Sequence, residues 1–442
     1  MREGLRGRLA LWAAAAALVS PAAATGSEGA GAQPAPSLDA ARSARLDVPY
    51  SSDSRLATQA QRESLSRGGL RRKLSRLAGQ APGASGYYVY DIDAGSRRVL
   101  FDRSEGRRRK LASNQKLFTT TTALHELGAS ERVATKVKRS GTITAAGRLK
   151  GNLYLVGGGD PSLGAEGIAA LADDVRRAGI KSVRGSVLGD DSIFDRRRGV
   201  PDSGYGPSPY IAPLSGLTYG GSTYAEDPAK AAAGALRDRL QGIGVRIGGR
   251  VRVGSVPRKL RGRPPLGSYE SPTIAALAAA TNKISNNFYA EMLLKGIWAA
   301  KGHLGTTRGG VGAVERYARS IGSRVSAKDG SGLTDRNLSS PRDVVRLLVA
   351  IRRQRQVGVP LFNSLAIAGK DGTLDDRMEG TVAAGRCRGK TGTIDGVSNL
   401  SGYCKSGHGL VAFSLLMNGV GDYDYARSIQ DRMVVEIARY RP

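Results

Sequence analysis

The chain has 442 residues, a formal net charge of +29, 40% hydrophobic residues and 5% aromatic ones. This composition is typical of a folded globular protein with more than one domain, and it excludes a disordered chain. The positive charge is typical either of a solvated surface or of attraction to an anionic surface or polymer. The shortage of aromatic residues argues against nucleic acid.

The first 24 residues have the pattern of a secretory signal peptide. Three arginines precede a short apolar stretch, Leu9 to Val19, and small residues at 22–24 offer a cleavage site. We therefore expect a signal peptide over 1–24 and a secreted or extracytoplasmic protein, in the periplasm or the cell wall. No later stretch is long and apolar enough for a span, so the mature protein is expected not to be membrane-spanning.

Residues 25–66 are rich in Ala, Ser, Gly and Pro without a period, which predicts a low-complexity linker. The spacing of Leu70, Leu74 and Leu77 predicts that order begins with a helix. Hydrophobic patterns and turn residues then predict strands at 87–92 and 97–101, a helix at 112–127, strands at 151–156, 183–188 and 245–253, helices at 168–178, 229–240 and 274–300, a strand at 410–417 and a helix at 425–440.

The stretch 138–267 differs from the rest because it is rich in strands and ends at two prolines. We interpret it as one or more inserted domains. The remaining segments, 67–137 and 268–442, are then expected to form one catalytic domain that is built from both ends of the chain.

A serine and a lysine, Ser113 and Lys116, lie three residues apart at the start of the predicted helix 112–127. At this spacing they share one helix face. A desolvated lysine can be neutral and accept the serine proton, and a helix N-terminus directs N–H groups towards an oxyanion. Alone, the pair is more typical of a helix cap with a surface lysine, so its interpretation depends on other motifs.

Two further motifs follow in the chain. Ser285-Asn286-Asn287 interrupts a helical run with polar residues, which indicates a hydrogen-bonded kink or a cap. Lys390-Thr391-Gly392-Thr393 lies at a predicted strand, where glycine allows close approach of a ligand and lysine offers a cation to a carboxylate.

The order Ser-x-x-Lys, Ser-x-Asn and Lys-Thr-Gly resembles the penicillin-binding protein and serine β-lactamase superfamily. Longer stretches resemble the D-alanyl-D-alanine carboxypeptidases/endopeptidases of the penicillin-binding protein 4 type, peptidase family S13. These stretches are 112–117, 158–161, 189–194, 329–333, 369–374 and 389–402. The resemblance implies an α/β (α+β) transpeptidase domain with a strand-rich insertion between the first two motifs.

The resemblance also implies a serine-type D-Ala-D-Ala carboxypeptidase that cleaves peptidoglycan stem peptides through an acyl-enzyme and is inhibited by penicillin and other β-lactams. DD-endopeptidase activity is a further option. In this family pattern Ser113 is the nucleophile and Lys116 is its general base. Ser285 relays a proton to the leaving group, and Asn287 holds the substrate amide. No cofactor is implied.

The third motif supplies the rest of the implied site. Lys390 supports its electrostatics, and Thr391 and Thr393 bind the terminal carboxylate on either side of Gly392. The backbone N–H groups of Ser113 and Thr393 would form the oxyanion hole.

Two positions depart from the family pattern. After Leu333 the family often has Ser-Arg, whereas this chain has Thr334-Asp335-Arg336, which leaves a binding role for the arginine open. A tryptophan often follows Phe194 at a distance, whereas this chain offers Tyr205 and Tyr210. Recognition of the stem peptide's side chain is therefore also open.

The two cysteines, Cys387 and Cys404, lie at equal distances from a predicted turn at 395–396. An antiparallel hairpin would place them opposite each other, and export permits a disulfide between them. Strand alternation puts Cys387 and Lys390 on opposite faces, so this bridge would lie behind the site. The alternative is a pair of free, buried thiols.

Other functions are less well supported by the residues. Two cysteines and three scattered histidines supply neither a cysteine-based zinc site nor a histidine-based triad, so no metal is expected. A serine β-lactamase needs a base for water attack on the acyl-enzyme, and no carboxylate motif for it is evident. A non-catalytic basic protein that adheres to the anionic cell envelope is the alternative from another class.

Overall fold

The computed structural model describes residues 65–96, 98–221 and 225–442. The predicted signal peptide and residues 25–64 of the predicted linker lie outside the described residues. The helices are α1 (Arg67–Gln80), α2 (Gln115–Ala123), α3 (Ala165–Arg177), α4 (Pro228–Gly242), α5 (Ile274–Lys283), α6 (Asn287–Ala299), α7 (Thr307–Ser320), α8 (Pro341–Arg352), α9 (Arg355–Ser364) and α10 (Tyr423–Ala438). None of these helices is long and apolar enough to cross a membrane.

The strands are β1 (Gly86–Asp91), β2 (Val99–Arg103), β3 (Arg109–Lys110), β4 (Ala134–Arg139), β5 (Arg148–Leu149), β6 (Leu153–Val156), β7 (Ser182–Val183), β8 (Val187–Asp190), β9 (Arg246–Ile247), β10 (Val251–Val253), β11 (Gly267–Glu270), β12 (Val325–Ser326), β13 (Leu338–Ser339), β14 (Ala366–Ile367), β15 (Cys387–Ile394), β16 (Val397–Lys405) and β17 (Leu410–Asn418). The turn Ala112–Asn114 is a 3₁₀ helix that leads directly into α2.

The central sheet has six antiparallel strands in the order β14-β15-β16-β17-β1-β2. Its first and last strands in the chain are neighbours, with Gly86 of β1 opposite Leu416 of β17. Strands β16 and β17 are buried on both faces over most of their length. Helices cover both sides of the sheet, which explains the nearly continuous apolar sequence of β17. In β16 the buried positions also include Ser398, Asn399 and Ser401.

One helical layer consists of α1 and α10, and the predicted stripe Leu70, Leu74 and Leu77 faces the sheet from α1. Ser66 caps α1 by accepting the N–H of Gly69, and the N–H of Leu65 bonds the Arg439 carbonyl at 2.9 Å. Residues 65–66 therefore contact the folded domain, and the bounds of the linker stay a prediction. The other helical layer, which includes α2, α5, α8 and α9, encloses a second core against the opposite face.

The inserted region carries its own sheets and its own core. A five-stranded sheet has the order β10-β8-β6-β4-β11, a three-stranded sheet has the order β5-β7-β9, and α3 and α4 pack on them. The larger sheet begins at Ala134 and ends at Glu270, where these two residues pair. It therefore extends past both ends of the predicted 138–267, and those domain bounds stay a prediction.

Three predicted elements are interrupted in the structure. The stretches 183–188 and 245–253 each form two short strands, because each passes from the small sheet to the large one at glycines. At Gly185 a Cβ would lie 2.1 Å from the Asn152 side-chain oxygen. The predicted helix 274–300 is broken after Lys283, where Ser285 has a φ of +60°. This break proves important for the site.

The β15–β16 hairpin places Cys387 directly opposite Cys404, with a Cα–Cα distance of 4.0 Å and a disulfide between them. Both cysteines lie in the core beneath α1 and α10. Three residues along β15, the carbonyl of Lys390 instead meets Asn114 in the other layer. The disulfide thus lies on the face of the sheet that is turned away from the helix of Ser113.

Replacing both cysteines by serine should lower the free energy of unfolding by about 3 kcal/mol, because the bond closes a loop with a sequence separation of 17. Thermal melting of the double variant and the wild type under oxidising conditions measures this change. Wild type in reductant should melt like the variant. Equal melting of the two proteins under oxidising conditions would contradict the bridge.

Candidate active site

Ser113 lies in the 3₁₀ turn that opens α2, and it is half-buried between the buried Ala112 and Asn114. Ala112 has a φ of +46°, a left-handed conformation that costs a non-glycine residue free energy and recurs at functional sites. Gly332, at φ +87°, packs behind this turn, where a Cβ would lie 1.9 Å from the Ala112 carbonyl oxygen. Only glycine allows this contact, which fixes the position of Ser113.

Lys116 connects three parts of the site. Its Nζ is 2.9 Å from Ser113 Oγ, 2.7 Å from Asn287 Oδ1 and 2.7 Å from the carbonyl oxygen of Ser331. These contacts bring the first motif against the second and against the loop that follows β12. The amine is therefore directed at the serine hydroxyl by two acceptors on other elements.

The Lys116 side chain has no solvent exposure. Burial lowers the pKa of Lys116 to about 7, although the nearby carboxyl groups of Asp329 and Glu291 act in the opposite direction. A large fraction of this amine is therefore neutral near neutral pH, which is the state that can take a proton from Ser113.

The second motif lies in the break between α5 and α6. The positive φ of Ser285 reverses the chain, and Asn286 starts α6 by accepting the N–H of Tyr289 at 3.0 Å. Asn287 consequently enters the site, where its Oδ1 meets Lys116 and its Nδ2 donates to the Tyr210 carbonyl at 3.1 Å. Ser285 is half-buried beside it, and its proposed relay role stays a prediction.

The third motif lies on β15, next to the turn Ala112–Asn114. Asn114 Nδ2 donates to the Lys390 carbonyl at 3.0 Å, and the Lys390 Nζ donates to the Thr391 carbonyl at 2.9 Å. Burial, and next the charge of Lys116, lower the pKa of Lys390 well below its ordinary value. Lys116 is therefore close enough to disfavour the charged form of Lys390.

Gly392 allows β15 to run alongside the turn Ala112–Asn114, which contains Ser113. A Cβ at this residue would lie 2.9 Å from the Asn114 Nδ2 and from the Leu111 carbonyl. Thr391 and Thr393 are half-exposed on this strand, and Thr391 Oγ1 donates to Thr373 Oγ1 at 2.8 Å. Thr373 belongs to the stretch 369–374, which the sequence singled out only by resemblance.

Glu291 is a site residue that the sequence reasoning missed. It lies one helical turn after Asn287 on α6, fully buried, and its Oε1 accepts the N–H groups of Gly330 at 2.8 Å and Ser331 at 2.7 Å. Burial, and next the carboxyl of Asp329, raise the pKa of Glu291 to about 8. The four-residue spacing from Asn287 is the sequence signal that could have identified it.

Asp329 stabilises the turn 329–334 through hydrogen bonds to groups inside and just after it. Its carboxylate accepts the N–H of Gly332 at 2.7 Å, the N–H of Thr334 at 2.9 Å and the Asn337 side-chain amide at 2.8 Å. Burial raises the pKa of Asp329 even though these donors favour its charged form. The two carboxyl groups thus fix the turn 329–334, whose Ser331 carbonyl contacts Lys116.

The residues at the departures from the family pattern lie in or against the 191–217 segment of the insertion. The Arg197 guanidinium lies 4.2 Å from the centre of the Tyr205 ring, and Arg336 forms an exposed ion pair with Asp202 at 2.7 Å. The Tyr210 side chain is exposed, while its backbone carbonyl holds Asn287. This segment therefore contacts the site directly, which the sequence did not indicate.

No cluster of three or more potential metal ligands occurs among the residues that the structure describes. Of the residues predicted to be catalytic, Ser113, Lys116 and Asn287 are brought together by direct hydrogen bonds. Lys390 joins them through Asn114. In this arrangement a buried lysine amine lies within hydrogen-bond distance of a serine hydroxyl.

Comparison with known proteins agrees with this geometry. Residues 70–225 and 213–440 match the D-Ala-D-Ala carboxypeptidase 3 (S13) family. The chain is 30% identical over 443 residues to a D-alanyl-D-alanine carboxypeptidase of Actinomadura sp. (strain R39), which covers 80% of this chain and 81% of the relative. It is 30% identical over 372 residues to the carboxypeptidase DacB of Mycolicibacterium smegmatis, covering 75% and 76% respectively.

Solved structures share the fold at lower identity. Penicillin binding protein 4 (dacB) from Haemophilus influenzae aligns with a TM-score of 0.71 at 21% identity, over 83% of this chain and 99% of that one. A predatory endopeptidase from Bdellovibrio bacteriovorus aligns with a TM-score of 0.56 at 18% identity, over 80% and 92%. The family match covers most of the described residues, and the chain belongs to the D-Ala-D-Ala carboxypeptidase 3 (S13) family.

Proposed function

We propose that this protein is a serine-type D-Ala-D-Ala carboxypeptidase that trims peptidoglycan stem peptides through an acyl-enzyme on Ser113. The observation that carries the proposal is the buried amine of Lys116, 2.9 Å from Ser113 Oγ, with a pKa of about 7. A lysine in this state is a suitable base for a serine nucleophile at neutral pH.

In the acylation step, Ser113 Oγ attacks the carbonyl carbon of the penultimate D-Ala and its proton passes to neutral Lys116. The backbone N–H groups of Ser113 and Thr393 stabilise the oxyanion, a contribution that is often the largest in acyl transfer. Lys390, Thr391 and Thr393 bind the terminal carboxylate, and Gly392 allows the peptide to approach β15. Asn287 holds the substrate amide.

Collapse of the tetrahedral intermediate breaks the peptide C–N bond. The leaving D-Ala amine receives, by way of Ser285, the proton that Lys116 took from Ser113, and Lys116 is neutral again. Water then attacks the acyl ester, with Lys116 again accepting a proton, and releases Ser113 and the shortened peptide. A penicillin would acylate the same oxygen through its β-lactam carbonyl. The predicted signal peptide over 1–24 would place this reaction outside the cytoplasm.

The test uses two defined peptidoglycan fragments, a stem pentapeptide ending in D-Ala-D-Ala and a cross-linked dimer, each with and without prior exposure to labelled penicillin. We expect release of D-Ala from the pentapeptide, inhibition by penicillin, and a lasting adduct that peptide mass spectrometry locates on Ser113. A pentapeptide ending in L-Ala should not be cleaved.

Each other outcome has a definite meaning. Release of monomers from the dimer would add endopeptidase activity, the activity for which the Bdellovibrio bacteriovorus protein is named. Rapid turnover of penicillin would instead identify a β-lactamase. No cleavage of either fragment, together with no adduct, would contradict the proposal and favour a non-catalytic wall-binding protein.

A further inference from the structure

The small sheet β5-β7-β9 of the inserted region presents a cluster of unpaired positive charges. Its strands are parallel, with Arg148 opposite Ser182 and Ser182 opposite Arg246. The residues that follow, Leu149 and Val183, point into the core of the insertion and are fully buried. By strand alternation, the residues on either side of these two point outwards together.

These outward positions are occupied by basic residues. Arg148, Lys150, Arg184 and Arg246 are all exposed on this face, and the exposed Arg250 and Arg252 continue it towards β10. We call these six residues the basic face. Neighbouring strands lie about 4.8 Å apart and alternate residues of one strand about 6.6 Å apart, so the four cations of the small sheet are close together.

Nothing in the neighbouring sequence neutralises the basic face. The three segments that form it, 141–151, 179–186 and 242–253, contain no aspartate or glutamate. None of the six residues forms an ion pair with another part of the chain that the structure describes. Repulsion among the like charges of this face is therefore left without a compensating carboxylate in these segments.

From this face we infer a binding surface for a linear cell-wall polymer that carries phosphodiester groups. Guanidinium groups match phosphate oxygens in two-point hydrogen bonds, and a flexible polymer with one charge per repeat can place successive phosphates on successive cations. The inference rests on the proposed function only for the location at the cell wall.

Two other anionic partners fit the surface less well. The three segments contain no Phe, Tyr or Trp, so bases of a nucleic acid would find no stacking surface. Val253, 39% exposed, is the single large apolar side chain exposed on these segments, which offers little insertion into a bilayer. The chemistry therefore favours a water-soluble polyanion.

The test measures binding of the full chain to fluorescent poly(glycerol phosphate) over a series of salt concentrations. A triple variant with Arg148→Glu, Arg184→Glu and Arg246→Glu should bind the polymer at least about 10-fold more weakly than wild type. Its affinity should also depend less steeply on salt concentration. The control is a triple variant with Arg72→Glu, Arg76→Glu and Arg355→Glu, which replaces three exposed arginines on α1 and α9. It changes the net charge of the protein by the same amount. It should lose less than about 3-fold.

Equal losses in the two variants would overturn the inference, because binding would then reflect only the overall charge. Tighter binding to poly-glutamate or to phosphatidylglycerol vesicles than to the phosphate polymer would overturn it too. Melting curves check folding, and the matching Arg→Gln triple variant provides a milder substitution. Binding requires no catalysis, so a failure here is distinguishable from a failure of the carboxypeptidase proposal.

Discussion

Replacing Ser113 by alanine should abolish penicillin labelling and D-Ala release, and replacing Lys116 by methionine should slow acylation by about 10³- to 10⁴-fold. Alanine removes the nucleophile itself. Methionine retains the length and the apolar stem of Lys116 but cannot take the proton from Ser113 Oγ, which lies 2.9 Å from the amine. The rate of labelling by fluorescent penicillin measures both effects, and the alanine variant also controls for contaminating hydrolases.

The wild-type acylation rate should rise with pH through about 7 and then level off. Burial lowers the pKa of Lys116 to this value, and only the neutral amine that predominates above it can act as a base. The ionisable groups that face this amine are Glu291, Asp329 and Lys390. A rate that falls over the same range would contradict the assignment of Lys116 as the base.

Lys295 offers a matched control for the methionine substitution. It is equally inaccessible to solvent, but its Nζ meets Asp195 Oδ1 and the Arg197 carbonyl, each at 2.7 Å, and not Ser113. Lys295→Met should lower thermal stability, because it leaves the Asp195 carboxylate without its partner, yet acylation should stay within about 10-fold of wild type. If both variants fold and lose acylation equally, the effect of Lys116→Met reports general damage to the core.

Much of this arrangement could be predicted because the informative signals are local. Ser113 and Lys116 are adjacent on a helix by spacing alone, and Cys387 meets Cys404 because a hairpin makes residues at equal distances from a turn opposite each other. The three motifs in order then indicated one site. None of these inferences required knowledge of distant contacts.

The remainder depends on contacts between distant residues. The four-residue spacing places Glu291 on the same face of α6 as Asn287, but it does not mark the carboxyl group as buried. A glutamate on a helix is ordinarily exposed, and the partners of Glu291 lie about 40 residues farther along the chain. The break at Ser285 likewise requires a positive φ, which serine seldom adopts and which only the surrounding contacts stabilise. Sequence periodicity consequently predicted one long helix with a polar kink or cap at 285–287, where the structure has two helices.

After Ser113 and Lys116, Glu291 is the residue whose replacement should slow acylation most. Glu291→Ala should slow acylation by about 10²-fold and lower the free energy of unfolding by about 2–4 kcal/mol. The N–H groups of Gly330 and Ser331 would lose their buried acceptor, and the Ser331 carbonyl would no longer hold Lys116 Nζ at 2.7 Å. Stopped-flow labelling with penicillin and denaturant unfolding measure the two losses.

Glu291→Gln separates the position of the loop from its charge. The amide oxygen can still accept both N–H groups, and the added NH₂ replaces an oxygen that has no hydrogen-bond partner among the described residues. The glutamine variant should therefore recover most of the stability and rate that alanine loses. With a pKa of about 8, Glu291 ionises over the upper part of the acylation profile, and its charge then raises the pKa of Lys116. A neutral glutamine should therefore move the upper part of the profile, and with it the midpoint, to lower pH.

Together, these two variants test whether Glu291 positions the 329–334 turn or is only part of the packed core. Loss of packing alone would change stability in both variants and leave the midpoint of the pH profile where it is in wild type. A shift of the midpoint to higher pH in Glu291→Gln would contradict the electrostatic argument, and full acylation in Glu291→Ala would contradict the positional one. The same buried carboxyl group thus connects the helix of Asn287 to the protonation state of Lys116, and so connects the fold to the rate of the first chemical step.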